Sequence, residues 1–379
     1  MVYPKTIFDA LRGGGGHFFT GVPDSLLKNF CAYVSDHTNK RLHVIAANEG
    51  NAISLAVGHY LATGKVGVVY LQNSGIGNAV NPLLSLAGRG VYGIPMLLII
   101  GWRGEPGIKD EPQHLTQGPL TLPLLTTLKI PHAILPQTDA KAVSVAQKMY
   151  ERAKKENRPV AIVVREGTFA PYTSVAKKIS RYPLTREAAL EMCVSAIEEK
   201  AIVVSTTGKL SRELFELRKR KGGQHEKDFL TVGSMGHASQ IALGIALAQP
   251  ARPVYCFDGD GAAIMHLGGW VVIGQAAPKN FKHIVFNNGV HESVGGQPTA
   301  GYIAHFEDIA RACGYKNAAV VSDPKKLRTA LTRVKKLHGP ALLEIRIKEG
   351  SRSDLGRPTR TPLENKKDFM SFLRRITPK

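Results

Sequence analysis

Short apolar runs alternate with longer helical stretches along this chain, and that alternation constrains its fold more than any other feature. Residues 43–47, 66–71, 96–101 and 160–164 are apolar runs of strand length. Such near-continuous apolar segments suit strands buried on both faces. Between them, 50–63, 80–86 and 140–155 carry helical patterns. Parallel neighbours need a crossover, usually a helix, so the rhythm predicts an α/β fold with mostly parallel sheets flanked by helices. The rhythm breaks at 165–186, which holds Gly167, Pro171 and Pro183 among scattered Lys and Arg. It restarts with strand candidates at 201–205, 229–232, 253–257, 283–287 and 342–347. We therefore expect an α/β domain over 1–170, a linker over 171–185, and a second α/β domain over 186–379. The second ends in a tail that begins as a Pro/Gly loop and closes with a short amphipathic helix. Only the rhythm recurs between the halves; no sequence repeat is visible.

Composition narrows the function classes. Of 379 residues, 43% are apolar and 21% charged, which excludes wholesale disorder. No apolar run approaches the roughly 18 residues of a membrane span, so no membrane partner is expected. Fifty Lys and Arg against 30 Asp and Glu leave a net charge of +20. The excess is spread over clusters such as 218–221 and 335–336, without a nucleic-acid module motif. We read it as solvated helix faces and a field that attracts small anions, and expect no nucleic-acid partner. Cys31, Cys193, Cys256 and Cys313 are far apart, with no CxxC pair. A reducing, cytoplasmic compartment is the expectation, and residues 1–16 lack the apolar core of a secretory signal.

One constellation carries chemistry. Gly259-Asp260-Gly261 follows the apolar run PVYCF, and Asn287-Asn288 follows HIVF, with 25 residues between Gly261 and Asn287. In a parallel sheet both motifs lie at strand carboxyl ends, where ligands bind. A carboxylate oxygen from Asp260 and an amide oxygen from Asn288 suit a hard divalent cation, and the glycines let backbone approach a diphosphate. Independently, Glu49 in AANEGNA follows a strand and opens a helix. A first-turn acid is also favoured there by the helix dipole alone.

With these residues in place, the chain resembles the thiamine-diphosphate-dependent decarboxylases. Their GDG, 25–27 residues, NN signature reads here GDGAAIMHLGGWVVIGQAAPKNFKHIVFNN. The resemblance implies that Asp260, Asn288 and the Val290 carbonyl hold Mg²⁺ on the diphosphate. It implies that Glu49 hydrogen-bonds the aminopyrimidine ring and takes part in proton transfer through the cofactor. Met235, in TVGSMG, matches the large apolar residue that supports the bent cofactor. Ser74 and Gly75 in QNSGIG, Thr206, Thr207 and Gly208 in TTGK, Gly233 and Ser234, and Gly259, Gly261 and Ala262 complete the expected cofactor contacts. The chain has no room for the middle domain of most family members. It matches instead the two-domain decarboxylases of small anionic 2-keto acids, over stretches such as TGVPDSLLKNF, GWRGEPGIKDEPQH, NNGVHESVGGQ and DLGRPTRTPLENK. The expected reaction is decarboxylation of 3-phosphonopyruvate. Sulfopyruvate or another 2-keto acid is the alternative. Asp24, His114 and His291 are catalytic candidates, and Ser25, Arg103, Lys109 and Glu292 are substrate-binding candidates. His17, His37, His59 and His225 are read as structural. The resemblance also implies a homodimer or larger homo-oligomer whose active site is shared between subunits.

Overall fold

The computed structural model describes residues 1–175 and 182–375. They divide into two compact units. The first comprises the residues up to 175 with Ser293–Gln297. The second comprises those from 182 to Glu292 and from Pro298 to 375. The expected linker lies in part outside the described residues, at 176–181. On its near side, the Tyr172 hydroxyl and the Val175 N–H both donate to Asp36 in the first unit. On its far side, Thr185 caps the helix Arg186–Ala196 by accepting from the Ala188 N–H.

The first unit holds strands β1 (Phe19–Gly21), β2 (His43–Ile45), β3 (Gly67–Gln72), β4 (Met96–Gly101), β5 (His132–Ile134) and β6 (Pro159–Val164). The second holds β7 (Ile202–Ser205), β8 (Asp228–Leu230), β9 (Val254–Gly259), β10 (Phe281–Asn287), β11 (Asn317–Val321) and β12 (Ala341–Arg346). The six-stranded orders are β2-β1-β3-β4-β6-β5 and β11-β12-β10-β9-β7-β8. Every strand pairing in both sheets is parallel. Counted from the first strand of each unit, the two orders are the same winding, so the recurring rhythm is a recurring topology.

Burial on both faces explains the apolar runs. In β4, Leu97 and Ile99 enter one core while Met96, Leu98 and Ile100 enter the other. In β9, Tyr255 and Phe257 face one side and Val254 and Cys256 the opposite one. The short strands β1, β5 and β11 were not among the expected ones. Three to five residues give too little pattern to separate a strand from a loop. The helix His114–Thr127 carries Pro119 and Pro123 inside it and has no legible helical signature.

In each sheet the chain steps one way from the first strand to the second and then back past it to the third. The reversal lies between β1 and β3 in one unit, and between β7 and β9 in the other. Such a switch point opens a crevice at the strand carboxyl ends.

Candidate active site

In the first unit the crevice is edged by residues following β1 and β3. Asp24, fully buried, accepts the Leu26 and Leu27 N–H groups at 2.7 and 3.1 Å and the Gln72 amide at 2.6 Å. Burial raises its pKa against the pull of those bonds. Ser74 donates to Gln72, which links Asp24 to the turn after β3.

Glu49 is the first residue of the helix Glu49–Thr63 and is buried. Asn48 caps that helix by accepting the Asn51 N–H at 2.9 Å. Asn78 donates to Glu49 Oε2 at 2.7 Å, and burial raises the Glu49 pKa. Close approach dictates the glycines behind both carboxylates. A Cβ on Gly75 would lie 2.2 Å from Glu49 Oε1, and one on Gly101 2.2 Å from Asp24 Oδ2.

The loop after β4 is more ordered than its Gly/Pro-rich sequence suggests. Arg103 is an ion-pair partner of Asp110, with Nε to Oδ2 at 2.8 Å and Nη2 to Oδ1. Its Nη1 donates to Ser25 Oγ at 2.9 Å. Asp110 also accepts the Gly104 and Glu111 N–H groups, so one carboxylate folds the loop around the guanidinium. Arg103, a substrate-binding candidate, has its charge substantially met by Asp110. Asn73 braces the same loop, donating to the Arg103 carbonyl at 2.8 Å and to Thr121 at 2.9 Å. Lys109 is exposed on this loop. His114 is buried at the start of its helix, with Nδ1 unpartnered among the described residues. Burial, aided by the Arg103 charge, lowers its pKa to about 4, so its ring is neutral near pH 7.

In the second unit Asp260 follows β9 and is buried. Thr299 donates to its Oδ2, and the Asn288 N–H lies 3.4 Å from Oδ1. No Lys, Arg or His pairs with Asp260 among the described residues, and burial raises its pKa to about 6. Gly301 packs behind it: a Cβ there would lie 2.4 Å from Oδ2. Asn287 turns inward, donating to the Gly301 carbonyl and to buried Glu344 at 2.7 and 2.8 Å. Asn288 reaches Asp260 through its backbone N–H. Its Oδ1 accepts the Val290 N–H at 3.2 Å, and its Nδ2 donates to Glu292 at 2.8 Å. Glu292 was expected to meet substrate. Its carboxylate is engaged by Arg186 at 2.6 Å and Lys209 at 3.0 Å, and these cations outweigh burial and lower its pKa.

Around Asp260 lie the remaining expected residues. Thr206, with Oγ1 buried and unpartnered among the described residues, directly follows β7. Thr207 donates to the Val232 carbonyl, and Gly208, at φ 98°, precedes the helix Lys209–Arg220. Gly233 and Ser234 lie in the turn after β8, with Ser234 at φ 52°. Met235 and His291 converge on Gly261, whose Cβ position would be 3.3 Å from Met235 Cε and 3.0 Å from the His291 ring. Burial lowers the His291 pKa to about 4. Ala262 is buried in the helix Asp260–Met265, which opens directly from Gly259 at the end of β9.

Residues 1–124 match the family described as thiamine pyrophosphate enzyme, N-terminal TPP binding domain. Residues 206–345 match the corresponding C-terminal TPP binding domain. The chain belongs to the thiamine pyrophosphate enzyme family. Among characterised relatives, it is 36% identical to a phosphonopyruvate decarboxylase of Streptomyces viridochromogenes, over 98% of this chain and 95% of the relative. It is 35% identical to that of Streptomyces hygroscopicus, over 98% and 94%. Identity to a sulfopyruvate decarboxylase of Methanosarcina acetivorans is 27%, over 97% of each chain.

The residues present fit thiamine diphosphate with a divalent cation. Asp260 is a buried carboxylate without a cation partner among the described residues, and Asn288, whose backbone N–H meets it, also carries an amide oxygen. Hard oxygen donors of this kind suit Mg²⁺. Thr206 offers an unsatisfied buried hydroxyl at the same switch point. Sequence reasoning missed Gln72, Asn73, Asn78, Asp110 and Thr299. Gln72 ends β3, Asn73 and Asn78 follow in the adjoining turn and helix, and Asp110 and Thr299 lie in longer loops, so each is picked out only by the partner it meets in the fold.

Proposed function

We propose that this thiamine pyrophosphate enzyme decarboxylates 3-phosphonopyruvate to phosphonoacetaldehyde and carbon dioxide, with Mg²⁺ as the cation. The observation that carries the reading is full-length likeness. The chain matches two phosphonopyruvate decarboxylases end to end, at higher identity than the sulfopyruvate enzyme. Asp260, Asn288 and the Val290 carbonyl would hold the metal, with Thr206, Thr207 and Gly208 toward the diphosphate and Met235 beneath the rings. When bound, thiamine diphosphate supplies the electron sink that accepts the pair left by departing carbon dioxide.

The protein's own groups do the rest. Glu49, its pKa raised by burial, holds a proton at the aminopyrimidine edge, and Asn78 fixes its orientation. Asp24 presents a buried carboxyl held by three donors, which keeps it in place near the keto acid. His114 and His291 are neutral imidazoles near pH 7 and can accept or relay a proton. Arg103 donates to the Ser25 oxygen, which leaves the Ser25 O–H to donate outward. Ser25, with exposed Lys109 on the same loop, would recognise the phosphonate.

The enzyme acts as a homodimer or larger homo-oligomer with sites shared between subunits. Exposed apolar positions support this: Leu55, Leu61, Leu84, Leu115 and Leu120 in the first unit, and Leu247, Val271 and Val272 in the second. No described helix is long and apolar enough to cross a membrane. The testing experiment compares kcat/KM for 3-phosphonopyruvate, sulfopyruvate and pyruvate with cofactor and Mg²⁺ supplied. The proposal expects 3-phosphonopyruvate to lead. Faster turnover of sulfopyruvate would transfer the assignment to the sulfonate.

A further inference from the structure

Resting on the thiamine diphosphate and Mg²⁺ reading above, we infer that Glu292 is a positioning residue for the metal site: it sets which way the Asn288 amide points. Glu292 is gripped by two cations. Arg186 Nη1 donates to its Oε2 at 2.6 Å and Lys209 Nζ to its Oε1 at 3.0 Å. The Glu292 side chain is only 11% exposed, and each of its two oxygens already accepts from one of these cations. Arg186 is itself fixed by a bidentate pair with Glu213, both bonds at 2.8 Å, in which Glu213 is 1% exposed.

With both oxygens accepting from cationic donors, Glu292 presents Asn288 with an acceptor. Glu292 Oε2 lies 2.8 Å from Asn288 Nδ2. Reversal of the amide would set its oxygen against that carboxylate, two acceptors with no proton between them. The assignment of oxygen and nitrogen on Asn288 therefore follows from its surroundings. With Nδ2 committed to Glu292, Oδ1 is turned to the opposite side, where it also meets the Val290 N–H at 3.2 Å. That oxygen is the one a cation beside Asp260 needs. The chain Glu213–Arg186–Glu292–Asn288 thus links the helix Arg186–Ala196 to the metal loop.

Partners one step removed from a metal commonly change its affinity by 10–100-fold when removed. The test is calorimetric titration of Mg²⁺ into full-length protein with excess thiamine diphosphate and no substrate, which separates binding from turnover. Glu292→Ala is expected to raise the half-saturating Mg²⁺ concentration at least tenfold. Glu292→Gln keeps an oxygen toward Asn288 and is expected to stay within about threefold of the parent. Glu213→Ala, which disturbs the same ion network without touching Asn288, should lower Tm more than it shifts Mg²⁺ binding. Should Glu292→Ala not fold, Glu292→Asp, which keeps the charge but withdraws the oxygen, carries the same tenfold expectation. Unchanged Mg²⁺ binding in the foldable variant overturns the inference, and so does an equal shift in Glu213→Ala. Failure of the parent protein to bind thiamine diphosphate with Mg²⁺ would instead overturn the cofactor reading beneath it.

Discussion

Glu49 and Asp260 are both buried carboxylates without an ion-pair partner among the described residues, and both have pKa values raised by burial. They differ in what they are placed to meet. Glu49→Gln keeps an oxygen for Asn78 and removes the acid. We expect Tm and thiamine diphosphate affinity to stay near those of the parent while kcat falls at least a hundredfold. Proton exchange at C2 of the bound cofactor, followed by NMR, should slow with it. Asp260 couples stability to pH through its raised pKa. A pKa raised from about 4 to about 6 means that its stabilising share is present below about pH 4 and lost as pH rises through about 6. Without metal, Asp260→Asn should therefore raise Tm at pH 7.5 while abolishing the Mg²⁺-dependent increase expected of the parent. A thermal melt with and without Mg²⁺ measures both. These carboxylates were legible in the sequence because each sits in a short motif. Their partners Asn78 and Thr299 were not, since they come from segments 29 and 39 residues away.

The loop from Trp102 to Gln113 shows why elements are harder to read than motifs. Its sequence, WRGEPGIKDEPQ, offers Arg103 and Lys109 for an anion but gives no sign of how the loop is held. In the fold Asp110 ties it shut by meeting Arg103, the Gly104 N–H and the Glu111 N–H together. The pairing is seven residues apart in irregular backbone, where no periodicity signals it. The same holds for the helix that follows, hidden by its two prolines. The central strands, by contrast, are visible because burial on both faces demands unbroken apolar sequence. The loop carries its own prediction. Asp110→Ala releases Arg103 and unties Ser25, and should raise KM for 3-phosphonopyruvate about tenfold or more with a smaller change in kcat. Arg103→Ala should do the same, because each charge-assisted contact is worth about 1.5–3 kcal/mol. Equal losses with pyruvate would mean that the loop supports the site generally and does not select the phosphonate.

At the scale of the molecule, one winding is used twice, and each copy carries part of the candidate site residues. Glu49, Asp24 and Arg103 belong to the first unit, and Asp260, Asn288 and Thr206 to the second. The repetition could be seen as rhythm but not as sequence, because parallel sheets specify apolarity and turn chemistry without specifying residues. If sites form between subunits, mixing Glu49→Gln with Asp260→Ala protein should restore part of the activity that each lacks. Hybrid formation should be verified by native mass spectrometry, and inactive hybrids would argue against shared sites. The most direct test of the whole account is ³¹P NMR of 3-phosphonopyruvate incubated with chelator-stripped protein. We expect no change until thiamine diphosphate and Mg²⁺ are both added, then conversion of the substrate resonance to that of phosphonoacetaldehyde. Persistence of the substrate signal with both present, in protein shown to be folded, would contradict the account.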